Sequence, residues 1–221
     1  MHSMMNAAKL ILIEGLPGAG KSTTCGHLGS YLQDQEITCN WYLETDKEHP
    51  LDFSKLKLKE LSGQLPPLWK SFVELILSKE IVAVVESRLW QNTALFMFMS
   101  AYPIEAIVEI HRLVWRELAD VDPSLIYLYQ ADVEKAMKRL YHERDREIVA
   151  KDIKFTSQYP WFKKRGLNDL DGWIKFFTEW QEVAEILYKD FPYRKVIIEN
   201  PYEDWNQSYQ QMIEFLLSAY R

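Results

Sequence analysis

The eight residues Gly15–Ser22 constrain the fold more than any other feature of this 221-residue chain. They read Gly-Leu-Pro-Gly-Ala-Gly-Lys-Ser and match the G-x-x-x-x-G-K-[ST] pattern of a P-loop, or Walker A motif. An apolar run, Leu10–Ile13, precedes the motif, and a helical pattern follows it. The sequence therefore predicts a strand, a glycine-rich loop (residues 15–22) and a helix in that order, an arrangement that cradles phosphate groups.

The residue types within the glycine-rich loop suit anion binding. Three of the eight glycines in the chain lie within six residues, and glycine lets the backbone approach an anion closely. Backbone N–H groups and the positive end of the following helix would face the phosphates. We expect Lys21 to place its charge on the outer phosphates and the Ser22 hydroxyl to bind Mg²⁺. The predicted nucleotide-binding residues are Gly15, Pro17, Gly18, Ala19, Gly20, Lys21, Ser22 and Thr23.

Strand and helix patterns alternate along the chain. Five short apolar runs predict strands at Lys9–Glu14, Ile37–Glu44, Ile81–Glu86, Leu125–Gln130 and Arg194–Glu199. Helical patterns lie between and after them, at Lys21–Gln35, Leu68–Ser78, Ile104–Ala119, Asp132–Arg144, Leu170–Tyr188 and Glu203–Tyr220. Continuous runs of Val, Ile and Leu are typical of parallel strands buried on both faces. We therefore predict one α/β domain over residues 1–221: a three-layer P-loop NTPase fold, with a five-stranded parallel sheet and helices on both faces.

A segment at about residues 139–166 interrupts this pattern. Arg146–Gly166 is polar, aromatic and basic by turns, without a clear period. A stretch of this length with no periodic pattern is typical of a functional lid, and no particular conformation is indicated for it. We name residues 139–166 the lid segment.

Composition and charge exclude several functions. The formal net charge of −6 argues against a duplex nucleic-acid binder, which needs a broad basic surface. The two cysteines form no Cys-x-x-Cys pair, so we expect no structural zinc site. The first apolar run is too short for a signal peptide or a membrane span, and we expect a cytoplasmic protein without a membrane partner. The oligomeric state stays open, a homodimer included.

Two classes of P-loop protein fit the sequence poorly. A regulatory GTPase needs an Asn-Lys-x-Asp motif, which the chain lacks. Asp169–Gly172 does match Asp-x-x-Gly, but it precedes a helical pattern and does not end an inner strand. Large remodelling ATPases need a second helical domain, for which this chain has no room.

The sequence resembles the nucleoside and nucleotide kinases, especially deoxynucleoside kinases and thymidylate kinases. The likeness lies in the glycine-rich loop after Leu12-Ile13-Glu14, in the strand end Val85-Glu86-Ser87-Arg88, and in a helix from Asp132 towards several arginines. It loosely spans most of residues 8–200, and only the loop is specific. It implies an ATP donor, Mg²⁺ and a small phosphoryl acceptor, with a nucleoside or nucleotide favoured.

The chain also departs from these families. Deoxynucleoside kinases read Glu-Arg-Ser at the end of the third strand and thymidylate kinases read Asp-Arg, whereas this chain reads Glu86-Ser87-Arg88. The displaced arginine puts the role of Arg88 in question. Glu44-Thr45-Asp46 stands where thymidylate kinases have a proline and arginine pattern.

Candidate catalytic residues lie at the predicted carboxyl ends of strands, where open α/β sheets bind ligands. Lys21 would neutralise charge on the phosphoryl group that is transferred. Glu86 could hold Mg²⁺ through a water molecule or accept the proton of the acceptor, and Glu44 is the second candidate base, with Asp46 a further one. Arginine grips two phosphate oxygens at once, so the remaining candidates are Arg88, Arg139, Arg144 and Arg146. The alternative for the last three is a solvated helix face with ion pairs.

Aromatic residues cluster in two places. Phe155, Tyr159, Trp161 and Phe162 lie in the lid segment, and Trp90, Phe96, Phe98 and Tyr102 follow Arg88. They could sandwich a planar acceptor, although core packing is the favoured interpretation. We interpret the run from Trp173 to Trp180 as a helix face that only packs.

Two other functions remain open. One is an antibiotic or other metabolite phosphotransferase on the same scaffold. The other is a nucleotide-dependent regulatory ATPase or binding module, which would hydrolyse ATP slowly and have no acceptor.

Overall fold

A computed structural model describes residues 8–218, which contain one sheet of five parallel strands. The strands are β1 (Leu10–Gly15), β2 (Cys39–Tyr42), β3 (Val82–Glu86), β4 (Ser124–Tyr129) and β5 (Arg194–Glu199). Their spatial order is β2-β3-β1-β4-β5, and every neighbouring pair is parallel. This confirms the predicted α/β class with five parallel strands. The central strand, β1, is the one that leads into the glycine-rich loop.

Nine α-helices accompany the sheet within residues 8–218. They are α1 (Lys21–Asp34), α2 (Leu61–Lys79), α3 (Ala94–Met99), α4 (Ile104–Glu117), α5 (Val133–Glu143), α6 (Arg146–Thr156), α7 (Pro160–Lys163), α8 (Leu170–Asp190) and α9 (Trp205–Leu217). Short 3₁₀ turns lie at Leu58–Glu60, Ala119–Val121 and Pro201–Glu203.

Helices cover both faces of the sheet because its side chains alternate between two apolar clusters. Leu10 and Leu12 of β1 point into the larger cluster, which includes buried residues of α2, α4 and α8. Ile11 and Ile13 point into the smaller cluster, which includes buried residues of α1 and α9. The predicted placement of helices on both faces is thus present.

Helix α2 begins at Leu61, seven residues before the predicted start at Leu68. The predicted start lies just after Pro66 and Pro67, and a proline lacks the N–H that a helix interior needs. In the structure both prolines lie inside the helix. The early turns survive because Leu61 and Leu65 are buried in the larger cluster, and this burial offsets the missing hydrogen bonds.

The lid segment contains two helices that no sequence period had indicated. Helix α6 is capped by Asp145, whose carboxylate accepts a hydrogen bond from the Glu147 N–H at 2.8 Å. It buries Val149 and Ile153, which lie four residues apart on one face. The four-residue helix α7 follows. The short helix α3 is also absent from the prediction, and the predicted end of the last helix at Tyr220 lies outside the described residues.

None of the helices in residues 8–218 combines the length and the apolar character needed to cross a membrane.

Gly29 should tolerate alanine less well than Gly26 in the same helix. A Cβ on Gly29 would lie 2.4 Å from the Trp41 ring, whereas a Cβ on Gly26 would have no heavy atom of the described residues within 4 Å. We expect Gly29→Ala to lower the free energy of unfolding by about 1–3 kcal/mol through overpacking. Gly26→Ala should raise it by up to about 1 kcal/mol through helix propensity. Urea unfolding of both variants tests this, and a Gly29→Ala variant as stable as Gly26→Ala would contradict it.

Candidate active site

The glycine-rich loop turns back over its own lysine. Lys21 Nζ donates hydrogen bonds to the carbonyl oxygens of Gly15 and Leu16, each at 3.0 Å. Gly18 and Gly20 adopt φ values of 76° and 90°, which other residues rarely adopt. The ammonium group is therefore held inside the curve of the loop.

Helix α1 begins at this loop with exposed donors. Its N-cap, Gly20, has no side chain, and no other side chain caps the helix. The first hydrogen bond of the helix comes from the Thr24 N–H to the Gly20 carbonyl, at 2.9 Å. The N–H groups before Thr24 consequently have no intrahelical acceptor, and the positive end of the helix faces the loop.

The Glu86 carboxylate connects the loop to the neighbouring strands. Its Oε1 atom accepts hydrogen bonds from Ser22 Oγ at 2.9 Å and from the Glu44 N–H at 3.0 Å. Glu86 is only 2% exposed. Ser22 and the two predicted carboxylates therefore do lie together, as the carboxyl ends of adjacent parallel strands require.

Glu44 is held from the β3 side. Gln91 Nε2 donates to Glu44 Oε2 at 3.1 Å, and Arg88 Nη2 donates to the Glu44 carbonyl oxygen at 2.8 Å. The Arg88 guanidinium also lies over the Phe53 ring, 5.3 Å from its centroid. Arg88 thus supports the backbone of Glu44.

A cavity of about 570 Å³ opens beside these residues. The loop and the strand ends form its polar wall, with Pro17, Gly18, Gly20, Lys21, Ser22, Thr23, Glu44, Thr45, Glu86, Gln91 and Asn92. Gly15 and Ala19 belong to the loop but do not line the cavity. Its other wall is largely apolar and consists of Leu95, Phe96, Met99, Arg144, Asp152, Phe155, Thr156, Trp173, Phe176 and Phe177.

The predicted arginines separate in the structure. Arg144 alone among the four lines this cavity, and Arg88 lines a neighbouring cavity of about 390 Å³. The guanidinium of Arg139 lies over the Tyr202 ring at 3.3 Å from the centroid. Arg146 begins α6 and is exposed away from the cavity.

Three aromatic side chains of α8 correct the interpretation that this run only packs. Trp173, Phe176 and Phe177 are buried, yet they also line the cavity. Phe96 and Phe155 line it as well, whereas Trp161 and Phe162 lie in the apolar core. A planar ligand would meet rings from α3, α6 and α8.

Sequence reasoning missed Glu14, which is 2% exposed at the end of β1. Its Oε1 atom accepts hydrogen bonds from the N–H groups of Leu89 at 2.8 Å and Trp90 at 3.1 Å. Burial raises the pKa of Glu14 to about 8, opposed by these hydrogen bonds and by the charge of Lys21. The only available signal was an acidic residue ending an otherwise apolar strand.

Lys21 lies among three carboxylates. Burial lowers the pKa of Lys21, and the charges of Glu44, Glu14 and Glu86 act in the opposite direction. Within residues 8–218 no group of three or more His, Cys, Asp or Glu side chains is arranged to hold a metal ion. Two oxygen-bearing groups that could bind a metal ion beside the loop are the Ser22 hydroxyl and the Glu86 carboxylate.

Comparison with known proteins identifies no family. No family model matches the sequence, and no curated protein matches it significantly. Among solved structures, the crystal structure of APE1195 matches 63% of this chain and 74% of its own chain, at 17% identity and a TM-score of 0.41. A likeness at this level carries no conclusion about function.

Because of Glu14, the free energy of unfolding should fall as the pH rises. Because the pKa of Glu14 rises from 4.5 to about 8 on folding, the folded state holds the proton more tightly than the unfolded chain does. The resulting stabilisation is complete below pH 4.5 and is lost as the pH rises through about 8. Glu14→Gln removes this titration but keeps an oxygen that accepts both N–H groups. We expect the two proteins to differ in slope by up to about 1.4 kcal/mol per pH unit.

Urea unfolding between pH 5 and pH 8 measures this difference. Parallel stability curves for the wild type and Glu14→Gln would show that Glu14 does not titrate in this range.

Proposed function

We propose that this protein is an ATP-dependent kinase of a small molecule, with the P-loop NTPase fold. The observation that carries the proposal is a single cavity with two chemically distinct sides. One side has the glycine-rich loop, Lys21 and the uncapped start of α1. The two carboxylates, Glu44 and Glu86, lie on this same polar side, and the opposite side consists largely of apolar and aromatic side chains. A phosphoryl donor and an acceptor would each find a suitable wall.

The donor side suits the phosphates of a nucleoside triphosphate. Free N–H groups at a helix start bind anions, and the left-handed glycines let the backbone curve around them. Gly20 has no room for a Cβ, which would lie 2.2 Å from Trp205 Cη2. Among residues 8–218, the Lys21 ammonium group donates only to backbone carbonyl oxygens and forms no ion pair, so it can turn to phosphate oxygens without breaking one.

Ser22 and Glu86 suit Mg²⁺ on the donor phosphates. Magnesium binds hard oxygen ligands and usually takes only one or two from the protein, with phosphates and water supplying the rest. Ser22 Oγ and Glu86 Oε1 are 2.9 Å apart and line the cavity next to the loop. When bound, the ion would neutralise charge on the phosphates.

We assign the role of general base to Glu44. Glu86 Oε1 already accepts two hydrogen bonds, whereas within the described chain the Glu44 carboxylate receives one, from Gln91. Glu44 is half-buried and lines the cavity. Its carboxylate would accept the proton of an acceptor hydroxyl as that oxygen attacks the phosphoryl group.

The acceptor is proposed to be a nucleoside or nucleotide, in keeping with the resemblance to those kinases. The cavity lies within the usual size range for small-molecule sites. Phe96, Phe155 and Phe177 supply flat apolar surface for a planar group. The same walls also suit an antibiotic or another planar metabolite carrying a hydroxyl group.

Replacing Lys21 with alanine should reduce turnover strongly without unfolding the protein. We expect Lys21→Ala to lower ATP turnover by about 10²–10³-fold, because one charged donor to the transferring group is lost. The measurement is ADP release over a metabolite panel that includes nucleosides, nucleotides and antibiotics that carry a hydroxyl group. Lys70→Ala, an exposed site on α2, is the matched control, and thermal unfolding checks folding.

Undiminished turnover in Lys21→Ala would overturn the kinase proposal. Tight ATP binding with no acceptor-stimulated ADP release in the wild type would instead favour a regulatory ATPase or binding module.

Substitutions of Glu44 and Glu86 should reduce turnover in different ways. Glu44→Gln should lower kcat by about 10²–10⁴-fold with the KM for ATP nearly unchanged, because only the base is lost. Glu86→Gln should instead raise the Mg²⁺ concentration needed for half-maximal turnover. Glu48→Gln is the control, since Glu48 is exposed and, like Asp46, does not line the cavity. Retention of kcat in Glu44→Gln together with its loss in Glu86→Gln would reverse the two assignments.

A further inference from the structure

The turn between β3 and α3 carries the groups that hold Glu44. This turn, residues 87–93, is referred to as the β3–α3 turn. From it, Arg88 donates to the Glu44 carbonyl oxygen and Gln91 donates to the Glu44 carboxylate. Asn92 lines the cavity from the same turn. The position of the proposed base therefore depends on how firmly this turn is held.

Side chains of other elements hold the β3–α3 turn through hydrogen bonds. It opens at Ser87 with a φ of 61°, a left-handed conformation that a serine adopts at some cost. Further along the turn, the N–H groups of Leu89 and Trp90 both donate to Oε1 of Glu14, which lies on β1. Glu14 is almost fully buried, so water cannot replace the two hydrogen bonds to this one oxygen atom.

The opposite side of the turn is held by His111 of α4. Its Nε2 atom lies 3.0 Å from the Leu89 carbonyl oxygen and 3.1 Å from Thr93 Oγ1. Its Nδ1 atom lies 2.7 Å from the Ile107 carbonyl oxygen of its own helix. Leu89, Thr93 and His111 are all buried. Burial lowers the pKa of His111, so the neutral ring carries one N–H and donates to one carbonyl oxygen only. With the proton on Nδ1, Nε2 accepts a hydrogen bond from Thr93 Oγ1; with the proton on Nε2, the ring donates to the Leu89 carbonyl oxygen. In both tautomers His111 holds the turn on the side opposite Glu14.

We infer that Glu14 and His111 form a clamp on the β3–α3 turn that positions Glu44 for catalysis. Neither residue lines the cavity, so both are positioning residues and act through Arg88 and Gln91. The effect on turnover rests on the proposed role of Glu44 as the base. The geometric effect, a firmer hold on Glu44, does not require that role.

Substitutions at Glu14 separate positioning from bulk structure. Glu14→Gln keeps an oxygen for Leu89 and Trp90, whereas Glu14→Leu removes both hydrogen bonds in a similar volume. We expect Glu14→Leu to lower kcat by about 10–100-fold with the KM for ATP within about twofold, because misplacement of a catalytic group is costly. Glu14→Gln should stay within about threefold of the wild type at the same pH. Thr93→Val removes the hydroxyl between Leu89 and His111 and should give a smaller loss of the same kind.

Hydrogen exchange, read by mass spectrometry without any substrate, tests the clamp independently of the proposed function. The Glu44 N–H is held by Glu86, so its exchange reports how firmly Glu44 is fixed. Peptides covering residues 42–46 should exchange about tenfold faster in Glu14→Leu than in Glu14→Gln. Should Glu14→Leu fail to fold, Thr93→Val is compared with the wild type in the same way.

These experiments distinguish failure of the clamp from failure of the proposed function. Faster exchange at residues 42–46 supports the clamp even if the wild type phosphorylates nothing, in which case only the proposed function fails. Unchanged exchange there, or a loss of turnover that falls entirely on the KM for ATP, overturns the clamp. Equal losses in Glu14→Gln and Glu14→Leu would also overturn it, since the accepting oxygen would then be irrelevant.

Discussion

One carboxylate oxygen, Glu86 Oε1, joins the parts of the site. It accepts hydrogen bonds from Ser22 at the start of α1 and from the backbone of Glu44 after β2. This is possible because β3 lies between β2 and β1 in the sheet, so a side chain at its carboxyl end reaches both neighbours. A buried carboxylate is tolerated only when it is well bonded, and the two donors meet that need. The strand order of the sheet thus determines which groups can meet beside the glycine-rich loop.

Acidic groups are in surplus over basic groups around Lys21. Glu14, Glu44 and Glu86 all act on a single buried ammonium group. Burial raises the pKa of Glu14, the charge of Glu44 acts in the same direction, and the charge of Lys21 opposes both. Under the proposed function, a divalent cation at Ser22 and Glu86 would relieve the same surplus. Proton binding at Glu14 and cation binding at Glu86 would then oppose each other through the field they share.

The sequence predicted the parts of the site that depend on neighbours along the chain. The glycine-rich loop is contiguous, and Glu44 and Glu86 end or follow strands whose apolar runs are plain in the sequence. The five strands were predicted to within one residue at most ends, although β2 is shorter than its apolar run. Glu14 and Gln91 escaped prediction because their roles depend on partners 75 and 47 residues away. The helices of the lid segment escaped it because their apolar faces are only one or two turns long.

The arginines predicted to cluster lie apart in the structure, because their positions also depend on how the chain folds around them. Arg139 lies inside α5, Arg144 ends that helix in an extended conformation, and Arg146 begins α6. Residues that are close in sequence point in different directions when a helix boundary separates them. Arg139 lies over the Tyr202 ring with its Nη2 atom 3.5 Å from the Gly18 carbonyl oxygen, and of the four arginines only Arg144 lines the cavity. If the lid segment contributes a cation to phosphoryl transfer without rearrangement, that cation is Arg144, and Asp152 from the next helix lines the same cavity. The lid segment would therefore bring both signs of charge to the proposed donor, and its contribution would depend on which of the two lies nearer the phosphates.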